Sequence, residues 1–329
     1  MSNKNDIKDA QESRMKRVVY NKFGGPEVLE VEQIGIPNVT KNQVLIQNVA
    51  TSINGGDLNV RKGFNNKLVN FLSRFPKTTG QDVVGKIVKV GKGVTKFKVG
   101  DMVWGNTTTD TNSMAEYVAI DAKKISIAPS NISPIEAASI PCAGLTALVS
   151  IIDKGALKKG ERVLIRGVGG VGLFAVQIAK SVGAHITVLG SKSTIEPLKK
   201  YGVDEVLDYH EISIKDLRYF DLIFDTVGTE HKLLRQKLTN NGQLLTISFQ
   251  VSELIKLILS IRYGKHRSKL VIAFPNNENL MRLSQMVTNG QIVPEIDSIY
   301  SIDQIVEAHR RAEQRGLFGK IIVKIQSKK

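Results

Sequence analysis

The sequence predicts an α/β protein with a doubly wound parallel sheet and a second domain built as a small β-barrel. Three observations carry that expectation. Glu161–Lys180 reads ERVLIRGVGGVGLFAVQIAK, a short apolar strand at 163–165, a glycine turn, and a helix with Leu173, Val176, Ile178 and Ala179 on its apolar face. The chain then alternates strand and helix patterns, which requires a parallel sheet covered by helices. Before this region, short Val- and Ile-rich segments are punctuated at close spacing by Gly85, Gly91, Gly93 and Gly100, the texture of a small barrel.

Taken in order, the first 14 residues are polar and mixed in charge and read as a disordered tail without a signal-peptide core. Arg17–Val31 forms two strands around Phe23-Gly24-Gly25-Pro26, and Gln43–Ile53 alternates as a third. Asn54-Gly55-Gly56-Asp57 then reads as a loop whose polar residues are site candidates. Gly80–Trp104 and Met114–Ile120 supply further barrel strands, and from Pro134 apolar helix formers lead into the second domain. Six strands are expected there, at 163–165, 186–189, 205–207, 222–225, 244–247 and 271–273. Helices are expected at 171–182, 195–201, 231–238, 254–261 and 279–289. After Pro294 a strand, a helix at 302–314 and a strand at 320–325 return to the first domain. The expected division is therefore a tail (1–14), a barrel domain (15–140 and 294–329) and a parallel-sheet domain (141–293).

The glycine turn fits G-x-G-x-x-G at Gly167, Gly169 and Gly172. Such spacing permits a tight turn, close approach of the backbone to a pyrophosphate and tight helix packing, with the positive helix end facing the phosphates. Which dinucleotide is bound is read at the end of the second strand. An NAD site places Asp or Glu there for the ribose 2′-OH, but this strand runs into Gly190, Ser191, Lys192 and Ser193 with no acid before Glu196. Hydroxyls and an ammonium suit a 2′-phosphate, so the expected cofactor is NADPH.

Composition narrows the remainder. The 42% hydrophobic and 23% charged fractions are those of a soluble globular protein. Cys142 is the single cysteine, which excludes an intrachain disulfide and a cysteine-rich zinc site and fits a reducing, cytoplasmic compartment. The net charge of +15 attracts anions without choosing among them. No nucleic-acid motif accompanies it, so nucleic acid is not an expected partner.

In order along the chain stand NGGDLNVRKG, GQDVVGKIVKVGKGVTKFKVGD, SMAEYV, AASIPCAGLTAL, GVGGVGLFAVQIAK, DLIFDTVG, VPEIDSIYSIDQIVEAHRR and GKIIVKI. On these motifs, residues 15 to 329 resemble the zinc-independent medium-chain dehydrogenase/reductases, in particular the NADPH:quinone oxidoreductases and alkenal/enone reductases related to zeta-crystallin. The resemblance implies a GroES-like β-barrel catalytic domain beside a Rossmann domain. It also implies hydride transfer from NADPH to a quinone or an α,β-unsaturated carbonyl, with a dry cleft between domains as the site.

Carried across, Asn54 and Asp57 match the catalytic loop beside the nicotinamide and Thr146 a threonine near its ring. Gly167, Gly169, Gly170, Val171 and Gly172 match the pyrophosphate turn. Ser191, Lys192, Tyr209 and Ser248 complete the cofactor contacts, Ser191 and Lys192 facing the 2′-phosphate. Relatives are dimers or tetramers, which implies a homo-oligomer, and some chloroplast-envelope relatives are peripheral membrane proteins.

The chain also departs from its family. Zinc-dependent relatives carry Gly-His-Glu where this chain has Gly80-Gln81-Asp82, and none of the five histidines (His185, His210, His231, His266, His309) pairs with another ligand at metal spacing. No metal is therefore expected, and the histidines read as surface or packing residues. Several relatives have tyrosine where this chain has Phe64, which leaves the proton donor unassigned. Three alternatives remain open. One is enoyl-thioester reduction. A second is a non-enzymatic NADPH-binding scaffold, nucleotide sensor or RNA binder, and the third has Leu254–Lys269 lying on an anionic membrane through its apolar helix and basic end.

Overall fold

The structure is a computed structural model that describes residues 14–63, 72–110, 112–248, 267–314 and 316–325. Expectations for the first 13 residues, for Phe64 and for residues 254–266 lie outside the described residues. The chain forms two compact units, Met1–Cys142 with Pro275–Thr288 and Pro294–Lys329, and Ala143–Phe274 with Asn289–Val293.

In the first unit, β1 (Arg14–Tyr20) pairs antiparallel with β2 (Leu29–Gly35) and with the short β4 (Lys77–Thr78). Arg14, expected in the tail, instead opens β1 opposite Gly35, because the strand keeps its partner to the end of β2. The main sheet is organised on β3 (Gln43–Ser52), whose burial on both faces makes it the central strand. One edge of β3 pairs with β5 (Asp82–Val90), which continues to β6 (Met102–Asn106) and β8 (Ile125–Ile127). Along its other edge lie β7 (Tyr117–Asp121) and then β16 (Lys320–Lys324), itself paired with β15 (Ile296–Ser301). Val44, Ile46, Val83, Ile87, Val103, Val118 and Ile125 fill the interior of this curled sheet. A Cβ on Gly85 would stand 2.0 Å from Gln47 O, so only glycine lets β5 close onto β3 there.

The second unit is a six-stranded parallel sheet in the order β11-β10-β9-β12-β13-β14. Its strands are β9 (Arg162–Arg166), β10 (His185–Gly190), β11 (Glu205–Asp208), β12 (Phe220–Asp225), β13 (Leu238–Thr246) and β14 (Arg267–Leu270). Strand order reverses between β9 and β12, the switch point at which doubly wound sheets bind ligands beyond their carboxyl ends. Leu164, Leu189, Phe220, Ile223 and Leu244 pack one core, and the helix Gly170–Val182 buries Leu173, Phe174, Val176 and Ile178.

Among the departures from expectation, two concern the last strands of this sheet. The sixth strand lies at Arg267–Leu270 and not at 271–273, because its partner β13 ends at Thr246, opposite Leu270. Only the Val271 N–H continues the ladder, to Thr246 O at 2.8 Å, leaving Ile272 and Phe274 63% and 62% exposed. The helix expected over 231–238 stops at Arg235, since Leu238 already opens β13 opposite Phe220.

In the first unit a buried ionic contact ties two helices together. Arg61, on the helix Gly55–Lys62, is fully buried; it donates to His309 Nδ1 at 2.8 Å and to Gly24 O at 3.3 Å, and pairs with Glu313. Burial first, then the Arg61 charge, hold the His309 imidazole down at about 3. A histidine depressed on folding adds stability that is complete above its unfolded pKa and is lost as pH falls toward the folded one. Between pH 7.5 and 5, urea unfolding should therefore lose about 2 kcal/mol through this group. His309→Gln should flatten that slope, and equal slopes in both proteins would remove His309 as its source.

Candidate active site

Two groups of residues, one in each unit, are the candidates for the chemistry. In the second unit the glycine turn follows β9. Gly167 has φ +84°, and a Cβ there would meet Thr226 Oγ1 at 2.4 Å. A Cβ on Gly172 would lie 1.9 Å from Gly167 O, so the turn closes only with glycine at both positions. Gly169 caps the helix Gly170–Val182, and a Cβ on it would meet no protein atom within 4 Å. Its open side is the approach a pyrophosphate needs. The N–H groups of Gly170, Val171 and Gly172 precede the first helical bond, Leu173 N–H to Gly169 O, and are available to an anion.

The next parallel strands bring the other cofactor candidates to the same end of the sheet. Gly190 of β10 stands opposite Asp208 of β11, and the Tyr209 N–H donates to Gly190 O at 3.0 Å, which sets Tyr209 beside Ser191. Ser191 caps a helix beginning at Lys192, three residues earlier than expected, because its carbonyl accepts from both the N–H and the hydroxyl of Thr194. Ser191 Oγ lies 2.8 Å from Ser193 Oγ, and Lys192 is exposed in the first turn. Ser248 follows β13, with its carbonyl taken by Thr246 Oγ1. Thr146 sits on the helix Pro141–Leu148, half-buried, its carbonyl accepting from Ser150 Oγ.

Arg166, absent from the sequence reading, organises the turn from behind. It donates to Thr229 O at 2.6 Å and Thr229 Oγ1 at 3.1 Å and pairs with Glu230 at 2.5 Å, while Thr226 Oγ1 donates to Arg166 O at 2.9 Å. The loop after β12 is thereby pinned to the glycine turn, with Glu230 at φ +60°. An arginine directly before G-x-G, with an acidic DTVGTE segment ending another strand, is the signal that was available.

In the first unit Asn54 and Asp57 are not in a loop, as expected, but cap the helix Gly55–Lys62. The Asp57 carboxylate reaches back to accept the Asn54 N–H at 2.9 Å and so ends the strand and starts the helix in one turn. Its other oxygen accepts the Gly80 N–H at 3.0 Å. Asp57 is 2% exposed; burial above all raises its pKa to about 6, against the two backbone donors and Lys320. The Asn54 side chain is fully engaged, Nδ2 donating to Asp82 Oδ2 at 2.8 Å and Oδ1 accepting from Lys320 Nζ at 2.5 Å. Asp82 also accepts from Ser52 Oγ at 2.5 Å and from the Cys142 N–H at 2.6 Å. Asp82, Cys142 and Lys320 complete a site of which the sequence offered only Asn54 and Asp57.

The signature of the alcohol dehydrogenase GroES-like domain matches residues 40–130, and that of a zinc-binding dehydrogenase matches residues 201–323. A chloroplast envelope quinone oxidoreductase homolog of Arabidopsis thaliana is 31% identical, covering 94% of this chain and 98% of its own. The chain belongs to the quinone and alkenal/enone oxidoreductases of the medium-chain dehydrogenase/reductase family. Another Arabidopsis thaliana member, a chloroplastic NADPH-dependent alkenal/one oxidoreductase, is 29% identical over 94% of this chain and 79% of its own. The quinone oxidoreductase of Coxiella burnetii superposes with a TM-score of 0.86 at 28% identity, covering 95% of this chain and all of that one. The fold of this member of the family is accordingly a GroES-like unit plus a Rossmann unit.

The name of the second signature raises the question of zinc, and the residues present do not fit it. Among the described residues no three His, Cys, Asp or Glu side chains converge as ligands. Around Asn54 the cation is already an ammonium, and the Cys142 thiol donates to Gln81 Oε1 at 3.3 Å, with burial and then Asp82 pushing its pKa well up. A thiol held protonated is a poor metal ligand.

The two glycines separate folding from binding. Gly172→Ala should destabilise by about 1–3 kcal/mol in urea unfolding. Gly169→Ala should unfold within ~0.5 kcal/mol of wild type yet bind dinucleotide weakly. Undiminished binding by Gly169→Ala would place the pyrophosphate elsewhere.

Proposed function

We propose that the protein is an NADPH-dependent oxidoreductase that reduces a quinone or the activated C=C bond of an enone or alkenal, without zinc. The observation that carries this reading is the arrangement at the carboxyl end of one parallel sheet. An open glycine cradle after β9 adjoins a hydroxyl- and lysine-bearing turn after β10 in which no carboxylate stands. The names of the Arabidopsis relatives supply the two acceptor classes.

When bound, NADPH would supply the hydride that reduces the electrophilic carbon or quinone. This chain holds and orients. The N–H groups of Gly170, Val171 and Gly172 bind the pyrophosphate; Ser191 and Lys192 take the 2′-phosphate, with Tyr209 against the adenosine, and Thr146 and Ser248 lie toward the nicotinamide end. Asn54 and Asp57 act by shaping the turn before Gly55, since their side-chain oxygens and the Asn54 amide are committed to one another's neighbours. The first-turn N–H groups of Gly55 and Gly56 remain as donors for the oxyanion that develops on the acceptor, and water supplies the proton.

The partner state we propose is a homodimer formed through β14, the outermost strand of its sheet among the described residues, extended by exposed Ile272 and Phe274. No helix among the described residues is long and apolar enough to cross a membrane. The single thiol favours the cytoplasm as the compartment.

The deciding experiment follows NADPH oxidation at 340 nm, with NADH as control, against quinones, an enone, a 2-alkenal and an enoyl thioester. Turnover confined to quinones or enones and alkenals is expected. Turnover of the thioester alone moves the assignment to enoyl reduction, and binding without turnover makes the protein a sensor or scaffold. Lys192→Glu should weaken NADPH at least roughly tenfold and NADH by less than about twofold in fluorescence titrations. Equal losses would refute the 2′-phosphate assignment.

A further inference from the structure

Three charged groups are buried together in the first unit: the carboxylates Asp57 and Asp82, 2% and 0% exposed, and the Lys320 ammonium, 6% exposed. Lys320 reaches them across the fold. β16 pairs antiparallel with β3, Ile322 opposite Ser52 and Lys324 opposite Ala50, so residue 320 arrives beside the end of β3, where Ile53 and Asn54 follow. Two of its protons go to Ile53 O at 2.9 Å and Asn54 Oδ1 at 2.5 Å. With Oδ1 so occupied, the Asn54 amide has one orientation, and its Nδ2 must face Asp82. The acidic partner, the amide and the ammonium form a single line from β5 to β16.

An isolated buried carboxylate is costly, and two are costlier still; a buried cation offsets them only if hydrogen bonds fix it in place. A metal ion in such a position would serve both purposes. Here no ligand set for one exists among the described residues, and a side chain supplies the charge. We infer that Lys320 is a positioning residue of the reductase, its fixed ammonium orienting Asn54 and balancing Asp57 and Asp82 so that the turn at Gly55 and Gly56 keeps its donors aimed at the reacting oxygen. The inference rests on the reductase reading above and adds to it a residue 266 positions distant from Asn54 in sequence.

The groups that bear on Asp57 come from every element around it: Asp82 on β5, Lys320 on β16, Tyr20 on β1 and Cys142 on the following helix. Burial raises the Asp57 pKa to about 6, and Lys320 works against that rise. Removing the ammonium must therefore raise it further. A carboxylate raised on folding adds stability that is present below its unfolded pKa and lost as pH rises through the folded one. A Lys320→Met protein should consequently go on losing stability at pH values where wild type has levelled off.

The test is the pH profile of kcat from 5 to 8.5 with NADPH and the acceptor found above, for wild type, Lys320→Met, Lys320→Arg, Asp82→Asn and the Lys320→Met/Asp82→Asn double variant. Wild type should show an acid limb near 6. In Lys320→Met that limb should move up by on the order of one unit, with kcat at pH 6 down by roughly fivefold and NADPH affinity unchanged. Lys320→Arg should keep the wild-type limb, and Asp82→Asn should cost less in the Lys320→Met background than alone. An even loss across all pH values, or none, would overturn the inference. Should no acceptor be turned over by wild type, the reductase reading fails; urea unfolding of the unliganded proteins against pH then decides this one. Lys320→Met steeper than wild type between pH 6 and 8 supports the charge balance, and identical slopes overturn it. Lys320→Gln carries the same expectations if Lys320→Met does not fold.

Discussion

A carboxylate cannot be buried alone, and much of the first unit follows from how this chain buries two. Asp82 accepts from Ser52 on β3, from Asn54 at the start of a helix and from the Cys142 backbone at the start of another. Asp57 accepts from Asn54 and Gly80. Each bond satisfies an acceptor that would otherwise cost free energy, and each fixes the origin of a different segment. The final strand is bound into the same accounting by Lys320, so the chain must return from the nucleotide unit before the cluster is complete. The cluster therefore depends on the finished fold and at the same time holds it in register.

The second unit reaches its site by the opposite means. At the glycine cradle the buried charges, Arg166 and Asp225, pair with each other behind the turn; the cradle's own shape comes from side chains that are missing. Gly167 and Gly172 let the backbone fold on itself, and Gly169 leaves a face open. Charge enters only behind the turn, where Arg166 pins the loop after β12, and at its margin, where Lys192 is exposed. A backbone cradle binds whatever carries a pyrophosphate, and the margin selects among dinucleotides. This division explains why the sequence of one short turn is so informative about cofactor while saying nothing about the acceptor.

Legibility followed the range of the interactions. The glycine turn and the alternation of strand and helix are local patterns that periodicity and glycine spacing report, while the helix after β10 begins at Lys192, earlier than its pattern suggested. Asn54-Gly55-Gly56-Asp57 has the composition of a loop, and its conversion to a helix cap depends on Asp57 reaching back to Asn54 in the presence of Gly80, which propensity does not report. The apolar run Val271–Phe274 has strand composition, but the ladder is set by where β13 ends. Lys320 and His309 lie within quoted motifs whose spacing says nothing of burial, and Arg166 had only its place before the glycine turn to mark it. A lysine before an apolar strand looks like an exposed flank, and only the pairing of β16 with β3 turns it inward. Of the stretch 254–269 behind the membrane alternative, residues 254–266 lie outside the described residues, while Arg267 and Lys269 belong to β14, where Lys269 Nζ donates to Gln243 Oε1 at 3.1 Å.

The central claim is that this reductase site is built around an ammonium and not a metal. It is tested most directly by exhaustive chelator dialysis followed by plasma mass spectrometry of the protein and NADPH-dependent turnover on the same sample. The account expects a protein with far less than one zinc per chain and undiminished turnover. One tightly held zinc per chain, with turnover lost on its removal and restored by its return, would contradict it.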